Sequence, residues 1–194
     1  MLVYPIFITD FPDEETEIKS LPGQYRRGVN KLVAWLAPLV ERGLKSVILF
    51  GVPLKDGVKD ATASKASAQD GPVVQAIKVL KKQWPSMFIM TDVCMCEYTD
   101  HGHCGVLNED GSLNQVESCK RIAEIAVDYA RAGADCVAPS DMNDGRILAI
   151  KRGLIRENLA HRTMLISYAA KFSGCLYGPF REGMFVPPFC LNAS

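Results

Sequence analysis

Three cysteines and two histidines fall within eleven residues, in the run Cys94-Met-Cys96-Glu-Tyr-Thr-Asp-His101-Gly-His103-Cys104. Cys94 and Cys96 stand one residue apart at the end of the apolar run Phe88-Ile-Met-Thr-Asp-Val93. Read as a strand, that run places side chains two apart on one face, so both sulfurs point the same way. The Thr-Asp-His-Gly-His turn then folds Cys104 back beside them. Three thiolates about 2.3 Å from one ion make a tetrahedral Zn²⁺ site whose fourth position is open to water or substrate. His101 or His103 could supply that fourth ligand, or both could be ordinary turn residues; spacing does not decide. A C-x-C pair alone is more often a core feature, because free cysteine is among the most buried residue types. The third cysteine, placed after a His-Gly-His turn, is what favours metal.

Other groups gather at the ends of apolar runs. Lys171 follows such a run in Ser167-Tyr-Ala-Ala-Lys-Phe172. A desolvated amine there is neutral and nucleophilic toward a carbonyl, although a lysine in that place also serves as a plain surface charge. Asp141 and Asp144, in Pro139-Ser-Asp-Met-Asn-Asp-Gly-Arg146, suit acid/base work or the capping of a helix that begins near Gly145. Asp92, two residues before Cys94, faces the same side and could orient a zinc-bound water, or be an ordinary buried hydrogen-bonded aspartate. Arg181, in Tyr177-Gly-Pro-Phe-Arg, offers a planar fork for a carboxylate, or a solvent-exposed loop charge.

Elements that position these groups are legible as alternating patterns. Strand-like runs are expected at Val3–Thr9, Ser46–Val52, Phe88 to the cysteines, Cys136–Asp141 and Thr163–Ala170. Helical spacing is expected over Val29–Arg42, Pro72–Gln83, 113–132 and Gly145–Leu159, with Gly43 and Gly133 as stops. The stretch from Pro53 to Gly71 has no apolar period and reads as a solvated loop of unusual length. Five β-α repeats with strands apolar on both faces call for a parallel sheet. No phosphate-binding glycine loop follows the first strand, and polar groups collect at strand C-termini, which favours a (β/α) barrel over a doubly wound sheet.

The 194 residues are 48% apolar, enough for one compact domain. Lys+Arg and Asp+Glu both total 22, which argues against a dedicated nucleic-acid or membrane-surface binder. No run reaches the length of a membrane-spanning helix, and the start lacks a signal-peptide pattern. Seven cysteines, odd in number and unevenly spaced, point away from a disulfide framework and toward a reducing, cytoplasmic setting.

Taken together, Asp92-Val-Cys-Met-Cys96, His101-Gly-His-Cys-Gly105, Ala138-Pro-Ser-Asp-Met142 with Asp144-Gly-Arg146, Ser167-Tyr-Ala-Ala-Lys-Phe172 and Tyr177-Gly-Pro-Phe-Arg181 resemble the motifs of the porphobilinogen synthases, also called 5-aminolevulinate dehydratases, in their zinc-dependent branch. The resemblance runs in order from about Leu2 to Arg181. It implies a (β/α)8 TIM-barrel enzyme of haem and tetrapyrrole biosynthesis that condenses two molecules of 5-aminolevulinate, with loss of two waters, to porphobilinogen. It further implies that Cys94, Cys96 and Cys104 hold the catalytic Zn²⁺, with Asp92 and His103 around them. Lys171 matches the lysine that forms an imine with the second-bound substrate, and Ser140, Asp141, Tyr177, Phe180 and Arg181 match pocket residues. The family assembles as a homo-octamer.

Departures from the family pattern set further expectations. The family's second active-site lysine lies in a Met-Val-Lys-Pro-Gly-like strand beyond Lys171, and the sequence reaches Ser194 without it. Residues 182–194 are apolar and proline-containing without helical or strand period, so a partial-barrel catalytic domain over 1–181 and a divergent tail over 182–194 are expected. Met1 falls almost on the first strand, where the family has an arm that embraces a neighbouring subunit. About five of the eight β/α units are present, and open edges are expected at strands one and five. A catalytically silent zinc-binding fragment is the alternative to the enzyme reading.

Overall fold

The structure is a computed structural model that describes residues 2–168 and 177–184. Its first strand, β1 (Tyr4–Thr9), alternates Ile6 and Ile8 on one face with Phe7 on the other. A short antiparallel pair follows, β2 (Glu15–Glu17) and β3 (Tyr25–Arg27). Then come α1 (Leu32–Glu41), β4 (Ser46–Val52), α2 (Ser64–Ser67), α3 (Pro72–Gln83) and β5 (Phe88–Val93). After them stand α4 (Gln115–Ala132), β6 (Cys136–Pro139), α5 (Arg146–Arg156), β7 (Met164–Leu165) and α6 (Tyr177–Met184).

Local chemistry sets the long helix that follows the cysteine segment. The Asn114 side chain accepts from the Glu117 N–H at 3.1 Å and caps α4. Gly133 ends the helix at φ 115°, a left-handed conformation that a side chain would strain. All seven residues of β4 are buried, the mark of a strand covered on both faces.

The strands form one sheet in the order β2-β3-β1-β4-β5-β6-β7. From β1 through β7 every neighbour is parallel, with Ile6 opposite Leu49, Val47 opposite Ile89, and Asp92 opposite Ala138. One face packs on the helices through Ile6, Ile8, Leu49, Ile89 and Val137 against Leu32, Leu36, Ile77, Leu80, Ile122 and Leu154. The opposite face carries Phe7, Ile48, Phe50 and Val52 and is closed by Met184 and Phe180 of α6. The result is a mostly parallel α/β sheet in the form of a partial barrel, as the alternating pattern predicts.

Four expectations are corrected. Cys94 and Cys96 lie beyond the strand, which ends at Val93, so their convergence comes from a turn and not from strand alternation. The β1 edge is not open: β3 pairs with it, Phe7 opposite Arg26 and Ile8 opposite Arg27. Nothing in the charged 10–28 segment has the apolar alternation that would announce that pair. The 53–71 stretch is not simply a solvated loop, because Ala63 and Ala66 are fully buried in the main core and α2 lies within it. Finally, neither Asp141 nor Asp144 caps α5, whose N-cap is Gly145 with no side-chain bond.

Helix α6 runs through Met184, with Gly183 and Met184 buried against Phe7 and Ile18, so helical structure continues past residue 181. The fifth strand is shorter than the apolar run suggests, and the part of that run carrying Lys171 lies outside the described residues.

Candidate metal centre

The cysteine turn is anchored from below by Met95, which is fully buried. Its carbonyl accepts from the Tyr98 N–H at 2.8 Å and the Thr99 N–H at 2.9 Å, which winds the chain tightly right after the strand. Within this turn the Cys94 and Cys96 sulfurs come to 3.3 Å. The His101–Cys104 segment is folded by two further bonds: Thr99 Oγ1 donates to the His103 carbonyl at 2.9 Å, and the His103 N–H donates to His101 Nδ1 at 3.1 Å. Asn143 Nδ2 then donates to the Cys104 carbonyl at 2.9 Å, fixing this segment to the end of β6. The Sγ atoms of Cys94, Cys96 and Cys104 all lie within 4.8 Å of one another.

This donor set fits zinc. Three sulfurs on a tetrahedral ion at about 2.3 Å sit about 3.8 Å apart, and the observed cluster, with Cys94 and Cys96 at 3.3 Å and all three within 4.8 Å, is compact enough for one ion. Neither histidine joins the group of ligand atoms, which among the described residues consists of the three cysteines. Without a cation, hydrogen bonding with Cys104 and then burial hold the Cys94 thiol well above its ordinary range. Hydrogen bonds with Cys104 and Cys94, followed by burial, do the same to Cys96. Three thiolates cannot share so small a volume unless a positive ion replaces their protons.

Each predicted site residue within the described segments can be placed. Asp92 is on β5 at 8% exposure, on the face away from the helices, one residue pair below Cys94. Ser140 follows β6, and its N–H donates to the Val93 carbonyl at 3.2 Å, which brings it beside the start of the cysteine turn. Asp141 is buried in a polar network: Oδ2 accepts from Asn143 Nδ2 at 2.6 Å, and Oδ1 lies 3.2 Å from Arg146 Nε. It therefore organises the loop that grips Cys104. Tyr177 and Arg181 share α6, where burial raises the Tyr177 hydroxyl and the sulfurs of Cys96, Cys104 and Cys94 push it further. Phe180 stands edge-on to Phe50 at 5.1 Å and tilted against Phe7 at 5.7 Å. The structure thus draws the groups that follow β5 and β6 together, while α6 packs on the Phe7 and Phe50 face of the sheet.

Several residues here have no distinct sequence signal. Phe7 and Phe50 form the aromatic floor under Phe180, and only the parallel register puts them side by side. Glu97 is 4% exposed, with burial first and then Cys94 and Asp92 pushing its carboxyl well above the usual range. Lys59 comes from the distant 53–71 stretch. Burial pulls its ammonium pKa down, opposed by Glu97, Cys96 and Asp10. Asn143 could have been suspected only from its place in the Ser-Asp-Met-Asn-Asp motif.

Comparison with known proteins places these features in a family. The family model for delta-aminolevulinic acid dehydratase matches residues 1–188. Among curated relatives, the delta-aminolevulinic acid dehydratase of Candida glabrata is 61% identical over 188 residues, covering 97% of this chain and 55% of the relative. That of Bos taurus is 51% identical over 181 residues, covering 93% of this chain and 55% of the relative. The solved delta-aminolevulinic acid dehydratase (porphobilinogen synthase) of Toxoplasma gondii, in complex with the reaction product porphobilinogen, superposes with a TM-score of 0.87 at 33% identity. It covers 95% of this chain and 52% of its own. The chain spans about half the length of the curated relatives it matches. Motif order, parallel sheet and family match agree, and the chain belongs to the delta-aminolevulinic acid dehydratase family.

Proposed function

We propose that this chain carries the zinc-binding and imine-forming part of a porphobilinogen synthase active site, acting on 5-aminolevulinate. The observation that carries the reading is the convergence of Cys94, Cys96 and Cys104 within 4.8 Å just past the end of β5, beside Ser140 at the end of β6. Cys94, Cys96 and Cys104 would hold Zn²⁺, which when bound would supply Lewis-acid polarisation of one substrate. Asp92 sits below the sulfurs and orients groups bound there. His103, through its backbone bonds, shapes the turn that delivers Cys104.

Lys171 condenses with the ketone of the other 5-aminolevulinate: its amine adds to the carbonyl carbon, and loss of water leaves the imine. Phe180, with Phe50 and Phe7, supplies an apolar wall. Arg181 pairs with a substrate carboxylate, while Ser140, Tyr177 and the Asp141 loop hold polar atoms of the substrates. The product is porphobilinogen, so the role is in haem and tetrapyrrole synthesis. Reduced thiols suit the cytoplasm, and a homo-oligomer, octameric as in the family, is the assembly proposed. No helix among the described residues is long and apolar enough to cross a membrane.

The test is incubation of the purified protein with 5-aminolevulinate and borohydride, followed by peptide mass mapping and a colorimetric assay for porphobilinogen. An adduct on Lys171 together with product formation supports the reading. A protein that binds zinc yet gives neither adduct nor product refutes it.

A further inference from the structure

The segment that carries the three cysteines is clasped at both ends by the loop after β6. At its start, the Ser140 N–H donates to the carbonyl of Val93, the residue before Cys94, at 3.2 Å. At its end, Asn143 Nδ2 donates to the Cys104 carbonyl at 2.9 Å. The loop turns Asp141 and Asn143 inward, both buried, and presents Met142 to solvent at 71% exposure. Both neighbours of Asn143 Nδ2 are acceptors, the Cys104 carbonyl and, at 2.6 Å, Asp141 Oδ2. That pair fixes the orientation of the amide and uses both of its protons. Aspartate has no such donors, and glutamine is a methylene too long for a fully buried place.

The clasp is itself held from outside the cysteine segment. Arg146 Nε lies 3.2 Å from Asp141 Oδ1, and its Nη1 donates to the Asn143 carbonyl at 3.1 Å. The Asn143 N–H returns to Asp141 Oδ2 at 3.1 Å. On the far side, the Asp144 carbonyl accepts from Gln115 Nε2 at 2.7 Å and from the Cys119 thiol at 2.9 Å, both on α4. The loop is braced on two helices and reaches Cys104 through the Asn143 side chain. Cys94 and Cys96 share one turn, whereas Cys104 comes after a further loop, so setting it beside them is the entropic cost of assembling the centre.

We propose that Asn143 is a positioning residue that couples the metal centre to the loop carrying Ser140 and Asp141: it holds Cys104 in place for the ion, and an ion held by Cys104 steadies that loop. This rests on the reading of Cys94, Cys96 and Cys104 as the zinc ligands. The coupling is reciprocal, because a bond through which the loop places Cys104 lets a fixed Cys104 order the loop by the same free energy. Ser140 and Asp141, which the proposed function sets against substrate, are then best ordered when the centre is filled.

Hydrogen–deuterium exchange of the purified chain, read by mass spectrometry with and without saturating zinc, tests this without recourse to turnover. In the parent chain zinc slows exchange over 94–104 and over 140–146, the latter at least about fivefold. In Asn143→Ala zinc still slows 94–104 but leaves 140–146 as it was. Zinc affinity, measured by competition with a chromophoric chelator, falls about tenfold in that variant. A general loss of stability speeds 140–146 whether or not zinc is present, so the zinc-dependent difference reports the clasp alone. Asn143→Ser, too short to span both acceptors, carries the same expectation and serves if Asn143→Ala fails to fold. Zinc that slows 140–146 equally in parent and variant, or in neither, overturns the inference. If the parent chain takes up no more zinc than Cys94→Ser, the metal reading falls and this inference with it; if it binds zinc and 140–146 does not respond, only the role of Asn143 falls.

Discussion

The side-chain amide of Asn143 joins two parts of the chain that the sequence keeps far apart, donating to the Cys104 carbonyl at 2.9 Å while also donating to Asp141 Oδ2 at 2.6 Å. Asn143 is fully buried, so the loop after β6 and the third cysteine move as one body. Asn143→Ala removes the donor to the Cys104 carbonyl and one donor to the Asp141 carboxylate, which keeps the Asn143 backbone N–H at 3.1 Å and Arg146 at 3.2 Å. It costs about 1–3 kcal/mol of stability and loosens Cys104. Thermal denaturation and zinc competition together check this; a variant with an unchanged melting point and unchanged zinc affinity would show that the link is idle.

Removing a sulfur is more direct. Cys94→Ser or Cys104→Ser abolishes stoichiometric zinc, measured by metal analysis after dialysis, while the far-ultraviolet circular dichroism stays that of the parent. The fold survives because the core around Ile77, Ile89 and Ile122 does not depend on the thiols. Loss of the whole fold in both variants would contradict this division.

Zinc binding is also pH-dependent with a defined sign. The Cys94 and Cys96 thiols are held protonated, above their ordinary range, by hydrogen bonding within the cluster and by burial. Zinc must displace those protons, so apparent affinity rises with pH throughout the range below the thiol pKa values and falls on acidification. The slope reaches up to about tenfold per pH unit for each proton released. Competition titrations at several pH values, with proton release read in weakly buffered solution, measure it; a flat profile would exclude thiolate ligation.

Gly51 in β4 has a packing role. A Cβ there would overlap the Tyr98 hydroxyl and crowd Val73. Gly51→Ala therefore pushes Tyr98 out of its seat and destabilises the protein by about 1–3 kcal/mol. Tyr98→Phe, which removes the overlapping oxygen, recovers part of that loss in the double variant. Chemical denaturation of the single and double variants tests the coupling, and strictly additive effects would rule it out.

Phe180→Ala removes the ring that meets Phe50 at 5.1 Å and Phe7 at 5.7 Å. The docking of α6 loses about 2 kcal/mol, given that Phe180 is only partly buried. Hydrogen exchange over 177–184 should accelerate while β4 and β5 stay protected. Equal acceleration across the sheet would mean that α6 is integral to the core.

The amino-acid sequence by itself determined the alternation of elements, because buried strands and amphipathic helices write their periods into local composition. It also marked the three cysteines, since ligand chemistry resides in residue type and short spacing. The helix stop at Gly133 and the parallel sheet were legible for the same reason. What only tertiary structure decided was convergence. The strand ends at Val93, so the sulfurs meet through a turn held by the Met95 carbonyl. The β1 edge is filled by β3, a short charged strand whose partner lies elsewhere in the chain. Asn143 and Phe50 reach the site from separate segments, the one through a side-chain hydrogen bond and the other through sheet register. Contacts between residues distant in sequence leave no local period, so they become visible only when the sheet is closed around them.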